Sequence, residues 1–424
     1  MHRSNTGETT RADREEVLQL IVQQLSAYGY PDLSRAVASQ TRVAAPAEGS
    51  SSRLSELVAI GLRNEQHQQS SQSHGERRGT EKHADDNLPG IDLKRRSTAM
   101  VPHYKVWYKT MHKGAATVTA FSADGQYIAT GSVDTSLKLI EVDRVQNPIS
   151  GGARREDKPV IRTMYNHEAE ITGLDFHPNG LVLASCSTDR TIKLFDLSAA
   201  YGKFAFQTMR DNYAYRAISF HPSGEYLAAA TDANEVRMYN VRTSSAYLLR
   251  EGAGSGNGQH SSGLTHVSYA ASGALVASAS QDGSVKLWDG RSGTCVRTLD
   301  RAHEGRAATS AIFTRNSKYL LTTGLDSMVR LWDVASGRVV NTYEGANIDA
   351  ANAQAVLSHD ESLVMIPDAR SNSIVFWDSA SAKPLRGGVI HQARVTRIAT
   401  SPTTAAFMSC SVDDGVRYWG VDDN

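Results

Sequence analysis

Residues 281–293 read "QDGSVKLWDGRSG", and close variants recur as "TDRTIKLFDLS" (188–198) and "LDSMVRLWDVASG" (325–337). Within each, apolar residues alternate with polar ones before an aromatic–Asp pair and a turn. That is the pattern of a short strand bounded by turns. Aligning on the aromatic gives Ile140, Phe195, Tyr239, Trp288, Trp332, Trp377 and Trp419, in steps of 55, 44, 49, 44, 45 and 42 residues. Each unit also carries a turn such as "HPNG" (177–180) or "HPSG" (221–224), followed by a second alternating stretch such as "LVLASCS" (181–187). The period therefore predicts a unit of four short strands, written seven times.

A second regularity runs through five units. Ten residues before the aromatic stand Thr130, Ser185, Ser278, Thr322 and Ser409; six before it stand Asp134, Asp189, Asp282, Asp326 and Asp413. His112, His167, His260, His303 and His391 precede these Asp residues by 22, 22, 22, 23 and 22 positions. In the third and sixth units Ala229 with Ala233, and Pro367 with Ser371, replace the set, and no His occupies the matching place. Residue types that appear and vanish together behave as one hydrogen-bonded cluster. The pattern resembles the WD-repeat β-propeller, in which these residues join the aromatic (here Trp288, Trp332 and Trp419 in the complete sets) as a buried tetrad. The fold class expected is mainly β: a seven-bladed WD-repeat propeller over residues 101–421. Ser, His and Asp also make a hydrolase triad, but a triad occurs once beside a cleft, and this set recurs five times in register. The cluster reads as architecture.

After Trp419 only "GVDDN" follows, too short for an outer strand, and an unpaired sheet edge is a liability. The stretch "HYKVWYKT" (103–110), with Tyr104, Val106 and Tyr108 alternating with Lys105, Trp107 and Lys109, is expected to complete the seventh blade. The long steps come from two insertions, at 143–159 and 251–263. The second is glycine-rich, yet Gln259 stands where a dinucleotide-binding pattern needs glycine, so it reads as a surface loop.

Lys+Arg and Asp+Glu each total 45 in 424 residues, a neutral balance that argues against direct grip on nucleic acid. Three scattered cysteines, Cys186, Cys295 and Cys410, argue for a reducing compartment. No apolar run approaches 18 residues, and "MHRSNTGETTRADREE" is too polar for a signal peptide, so a soluble intracellular chain is expected. HExxH, GxSxG, the phosphate-binding loop and paired CxxC are absent. No catalytic residue, metal site or cofactor is expected.

The N-terminal region differs. "DREEVLQLIVQQLSAYGY" places Val17, Leu18, Ile21, Val22, Leu25 and Tyr28 on one helical face, capped by Asp13 with Glu16 and stopped by Gly29 and Pro31. A second helix is expected near 32–40, and a third carries Leu54, Leu57, Val58 and Leu62. Three short helices bury too little to stand alone, so residues 12–66 are expected to form a small all-α module that dimerises through these side chains. Residues 67–100 read as a flexible polar linker. Its His67, His74 and His83 lack metal-site spacing, and the basic run Lys94–Arg96 is as compatible with a solvated linker as with nuclear import.

The order of parts, together with "REEVLQLIVQQLSAYGY", "PGIDL", "KPVIRTMYNHEAEITGLDFHP" and "AHEGRAATSAIFTRNSKYLLTTGLDSMVRLWDVASGR", resembles the WD-repeat subunit of the cleavage stimulation factor of pre-mRNA 3′-end processing, over residues 12 to 419. That resemblance implies a nuclear, non-enzymatic scaffold that forms a homodimer and binds the helical-repeat subunit of the complex, with RNA read by a separate RNA-recognition subunit. It supports cleavage and polyadenylation of pre-mRNA and touches no membrane. Departures are "LKRRS" after "GID" and "LIEV" closing the first unit. Glu170, Arg216, Arg306 and Arg394, near the entries to inner strands, are the candidate partner-binding residues, arginine being favoured at interface anchors. The rival readings are an adaptor of a ubiquitin ligase or co-repressor complex, and an enzyme concealed in the propeller channel.

Overall fold

The computed structural model describes residue 91 and residues 100–147, 158–198, 202–249 and 259–421. The predicted helical module, with Val17, Leu18, Ile21, Val22, Leu25, Tyr28, Leu54, Leu57 and Val58, lies outside the described residues, as does most of the linker. Within the described residues, 28 strands form seven four-stranded antiparallel sheets. Six are consecutive in the chain: blades 1 (116–164), 2 (171–210), 3 (215–248), 4 (264–299), 5 (308–343) and 6 (356–390). Blade 7 takes its three inner strands from 395–421 and its outer strand from far upstream. The chain is a seven-bladed β-propeller.

The second strand of a blade is buried on both faces. Tyr127–Ser132, Val182–Ser187, Tyr226–Thr231, Leu275–Ser280 and Tyr319–Gly324 each begin half-buried and are then buried throughout. Small residues make this workable: Ala129, Ala184, Ala228 to Ala230, Ala277 and Ala279 let neighbouring sheets approach closely. The apolar core is divided into seven clusters, one at each contact between adjacent blades. The cluster joining blade 7 to blade 1, with Ala116, Ile128, Met408 and Tyr418, closes the ring. Threonines stitch the inner strands together near the axis. The hydroxyls of Thr117, Thr172, Thr265 and Thr396 donate to the carbonyls of Ile171, Tyr215, Ala308 and Ala116 at 2.5–2.8 Å, each on the next blade.

The upstream strand β1 (Tyr104–Met111) pairs antiparallel with β28 (Gly415–Val421), from Tyr104 opposite Val421 to Met111 opposite Gly415. The predicted closure is thus present, shifted by one residue. A register shift between Val106 and Tyr108 breaks the expected alternation, leaving Val106 exposed beside Trp107. Trp107 lies against Gly420, where a Cβ would come within 2.3 Å of the indole. Tyr104 also stacks on Phe376 of blade 6 and meets Phe407 edge-on, so β1 ties two blades together. A short helix not read from sequence, α1 (Val142–Gln146), opens the first insertion, and Gln146 donates to the Tyr418 hydroxyl at 3.0 Å. Ile91, inside the region read as a free linker, is buried with Ile348, Ala355 and Trp377 between blades 5 and 6. An apolar residue flanked by polar ones gave no sequence signal for docking.

Deleting residues 1–111 removes the outer strand of blade 7, whereas deleting residues 1–99 spares it. The shorter chain should melt lower by more than about 5 °C in calorimetry; equal midpoints would mean that β1 does not close the ring.

Candidate functional site

The recurring polar residues assemble at one end of each blade, where the entry to the innermost strand meets the turn between the second and third strands. In blade 4 the Trp288 indole N–H donates to Ser278 Oγ at 2.8 Å, and Ser278 meets His260 Nε2 at 2.7 Å. His260 Nδ1 reaches Ser284 Oγ at 2.9 Å, and that hydroxyl donates to Asp282 at 2.6 Å. In blade 5 the chain is direct: Trp332 to Thr322 at 2.8 Å, Thr322 to His303 Nε2 at 3.0 Å, and His303 Nδ1 to Asp326 at 2.9 Å. Gly324 makes room, since a Cβ there would lie 2.2 Å from the imidazole. Blade 2 lacks an indole but keeps Ser185, His167 and Asp189 linked at 2.7 Å each.

Beyond the Ser284 relay of blade 4 and the missing indole of blade 2, two of the five sets lose the His–Asp hydrogen bond. In blade 1, His112 Nε2 meets Thr130 at 2.9 Å, but its Nδ1 bonds to Ser136 at 2.6 Å and leaves Asp134 at 3.8 Å. The hydroxyl two residues after the Asp intercepts the imidazole. In blade 7, Trp419 donates to Ser409 and Ser409 meets His391 Nε2 at 2.7 Å, but His391 Nδ1 has no hydrogen-bond partner among the described residues. Asp413 instead accepts from the Gly415 amide and faces Arg417 at 3.4 Å.

Arg417 belongs to a set that the spacing analysis missed. Four residues after each tetrad Asp stands a cation: Lys138, Lys193, Lys286, Arg330 and Arg417. Four of these donate to the carbonyl just before the tetrad His: Lys138 to Met111, Lys193 to Asn166, Arg330 to Ala302 and Arg417 to Ile390. Blade 3 uses another solution at the same place. Asp211, 22 residues before Ala233, stands where His is expected. It accepts from Tyr239 Oη at 2.9 Å, pairs with Arg237 at 2.7 Å, and Tyr239 meets Tyr215 Oη at 2.6 Å. In blade 6, with Pro367 in place of the hydroxyl, Trp377 donates to the Glu344 carbonyl at 3.0 Å.

These groups are held for structure rather than proton transfer. Burial, reinforced by Lys138 and Arg417, lowers His112 and His391 to about 4. Burial also lowers His260 against the pull of Asp282. Burial alone would raise Asp326, but His303 and Arg330 hold it at about 2. The same buried polar set repeated in register around a ring is an architectural arrangement.

The surface that can act lies at the axis. A cavity of about 360 Å³ opens on the rim carrying the entries to the inner strands, lined by Glu170, Thr172, Arg216, Thr265, Gln281, Asn352, Arg394 and Arg397 among others. Three of the four candidate partner-binding residues, Glu170, Arg216 and Arg394, meet here, whereas exposed Arg306 stands apart from it. Arg216 is engaged by Asp232 at 2.6 Å and Arg394 by Asp349 at 3.3 Å. A second cavity of about 390 Å³ occupies the other end of the channel, and Arg397 lines both.

Comparison with known proteins places this geometry. Residues 12–66 match the family model described as the dimerisation domain of cleavage stimulation factor subunit 1. The WD domain, G-beta repeat, matches at 106–141, 158–196, 257–289 and 293–333. Cleavage stimulation factor subunit 50 of Arabidopsis thaliana is 38% identical over 415 residues, covering 94% of each chain. The chain belongs to this cleavage stimulation factor subunit family. The transcriptional corepressor LEUNIG_HOMOLOG of Arabidopsis thaliana is similar over less: 27% identity, spanning 50% of this chain and 24% of that protein. Pre-mRNA-processing factor 19 homolog 2 of the same plant is 28% identical over 42% of this chain and 31% of its own length. Among solved structures, the Cps50 (Swd1) β-propeller domain of Myceliophteria thermophila matches with a TM-score of 0.61 at 17% identity, covering 75% of this chain and 100% of that one. At that identity it supports the fold alone. Among the described residues no helix is long and apolar enough to cross a membrane.

Replacing Ser278 by Ala strands the Trp288 donor and the His260 acceptor together and should lower the unfolding free energy by about 3 kcal/mol. Ser284→Ala should cost about 1 kcal/mol, because Asp282 already stands 3.3 Å from His260 Nδ1 and can take over. Equal losses in urea titrations would refute this ordering.

His112 and His391 stay neutral in the fold until about pH 4 but protonate near 6.5 when unfolded. The unfolded chain therefore binds more protons between these limits, and stability falls as pH drops through that window, by about 1 kcal/mol per group per pH unit. His391→Gln should flatten the measured slope by one group's share.

Proposed function

We propose that this chain is a non-catalytic scaffold subunit of a cleavage stimulation complex in the nucleus. In this reading residues 12–66 form the homodimer through Val17, Leu18, Ile21, Val22, Leu25, Tyr28, Leu54, Leu57 and Val58. The propeller binds the helical-repeat subunit, and a separate RNA-recognition subunit contacts the transcript. Pre-mRNA 3′-end cleavage and polyadenylation are supported by assembly rather than by chemistry on this chain.

The observation that carries the reading is one alignment running through both the dimerisation region and the propeller at 38% identity over 94% of the chain. The equal totals of basic and acidic residues support an indirect role toward RNA. On the propeller, the lip formed by Glu170, Arg216 and Arg394 is the proposed partner contact. Arg306 drops out of that patch on position.

Tagged full-length chain recovered from nuclear extract should bring down itself, a helical-repeat protein and an RNA-recognition protein in comparable amounts. Recovery of ubiquitin-ligase or co-repressor subunits in their place would overturn the assignment. Arg216→Glu with Arg394→Glu should weaken capture of the helical-repeat subunit by about tenfold, the loss of two charge-assisted contacts at a rim.

A further inference from the structure

The inner strands of a propeller bring equivalent residues to one axis. Six residues after the tetrad His (seven in blade 5, six after Asp211 in blade 3), the chain places Val118, Gly173, Ala217, His266, Ser310 and Arg397. Four of these are small or aliphatic, and His266 is 6% exposed. Arg397 alone among the six is more than marginally accessible, and it lines the cavities above and below.

That guanidinium is under-used. It donates from Nη1 to the Asn352 carbonyl at 3.1 Å, and no carboxylate among the described residues pairs with it. Burial and then the Arg397 charge lower His266 of blade 4; the same charge acts on Cys186 of blade 2 and on Cys410, its pairing partner on the next strand of blade 7. Burial in turn lowers Arg397 itself to about 10. Asp175, which lines the lower cavity, takes the Phe220 amide at 2.6 Å rather than the guanidinium. His266 Nδ1 is buried without a partner. Glu170, Asp175 and Glu361 line the same cavities without forming an ion pair to it; a cation in a low-dielectric cleft with no acid in contact focuses attraction on an entering anion, and a buried charge left unpaired is costly.

We infer that Arg397 is the receptor for a single carboxylate, the Asp or Glu side chain of a partner peptide inserted through the rim cavity. The charge pattern of the lip selects this occupant over a nucleic-acid backbone. Arg216 and Arg394 are already neutralised by Asp232 and Asp349, and Glu170 adds a negative charge. A polyanion crossing the lip meets those three carboxylates, whereas one acidic side chain on a neutral segment passes them and ends on the guanidinium. A volume of about 360 Å³ admits a side chain or two and no folded element. The inference stands whichever complex the chain joins.

The test uses full-length chain and randomised heptapeptide pools whose central residue is fixed as Glu, Asp, Gln or Arg, with bound peptide counted by mass spectrometry. The acidic pools should be enriched about tenfold over the Gln pool, as charge-assisted pairing requires. Arg397→Gln should erase that preference while the elution volume and melting profile stay unchanged. Equal capture of Glu and Gln pools by the native chain, preference for the Arg pool, or acidic preference surviving in folded Arg397→Gln would each overturn the inference. So would oligouridine binding that falls on the same substitution, since it would assign the lumen to RNA. Should Arg397→Gln fail to fold, the native Glu-against-Gln comparison still decides, with Arg397→Lys expected to retain the preference at reduced affinity.

Discussion

A hydroxyl placed between an indole and an imidazole governs the geometry of the complete blades. Ser278, Thr322 and Ser409 each accept from a Trp on the third strand and share a hydrogen bond with Nε2 of a His at the entry to the first. One small group thereby fixes three strands of the same sheet at one height, away from water. An unpaired polar group in such a place would cost as much as the contact contributes, so the chain either completes the set or rebuilds it. Blade 3 rebuilds it with Tyr215, Tyr239 and Asp211, and blade 6 turns the Trp377 donor onto a backbone carbonyl. In blades 3 to 7 a third-strand Tyr or Trp keeps the donor and its acceptor changes, whereas Ile140 and Phe195 leave blades 1 and 2 without one.

Spacing revealed the number of blades, the strand that closes the ring, and which residues share a level in each unit. It did not reveal which of several polar neighbours wins a bond. Ser136, at 2.6 Å, intercepts His112 and leaves Asp134 at 3.8 Å, and Arg417 engages Asp413 at 3.4 Å in blade 7, because several polar groups stand within a few residues of each Asp. Two further regularities were present in the sequence and went unread: the cation four residues after each Asp, and the threonine five residues after most of the histidines. Both lie on polar positions of strands, where alternation alone predicts only solvent exposure. In the structure the cations close the loop before the His, and the threonines join one blade to the next. Asp211 escaped because the search was for histidine at its position, although the spacing was intact.

The candidate surface was legible in part. Glu170, Arg216 and Arg394 converge because loops entering successive inner strands all open on one rim, which follows from the repeat. Arg306 follows the same logic but falls elsewhere, in the loop that carries one additional residue before its Asp. Arg397 gave no separate signal, since one more arginine in a strand reads as ordinary until the six equivalent inner-strand positions are set side by side.

Those equivalent positions show where a repeat protein can carry information. Positions that hold the blades together are constrained alike in every unit, and a change there must be compensated within the same sheet. Positions facing the axis carry no such demand, because each blade contributes one side chain to a common space and only their combined volume is limited. Arg397 lines the cavities at both ends of the channel, in the path of anything entering it. The rigid, repeated part of the molecule thus fixes the place at which the Arg397 charge is presented.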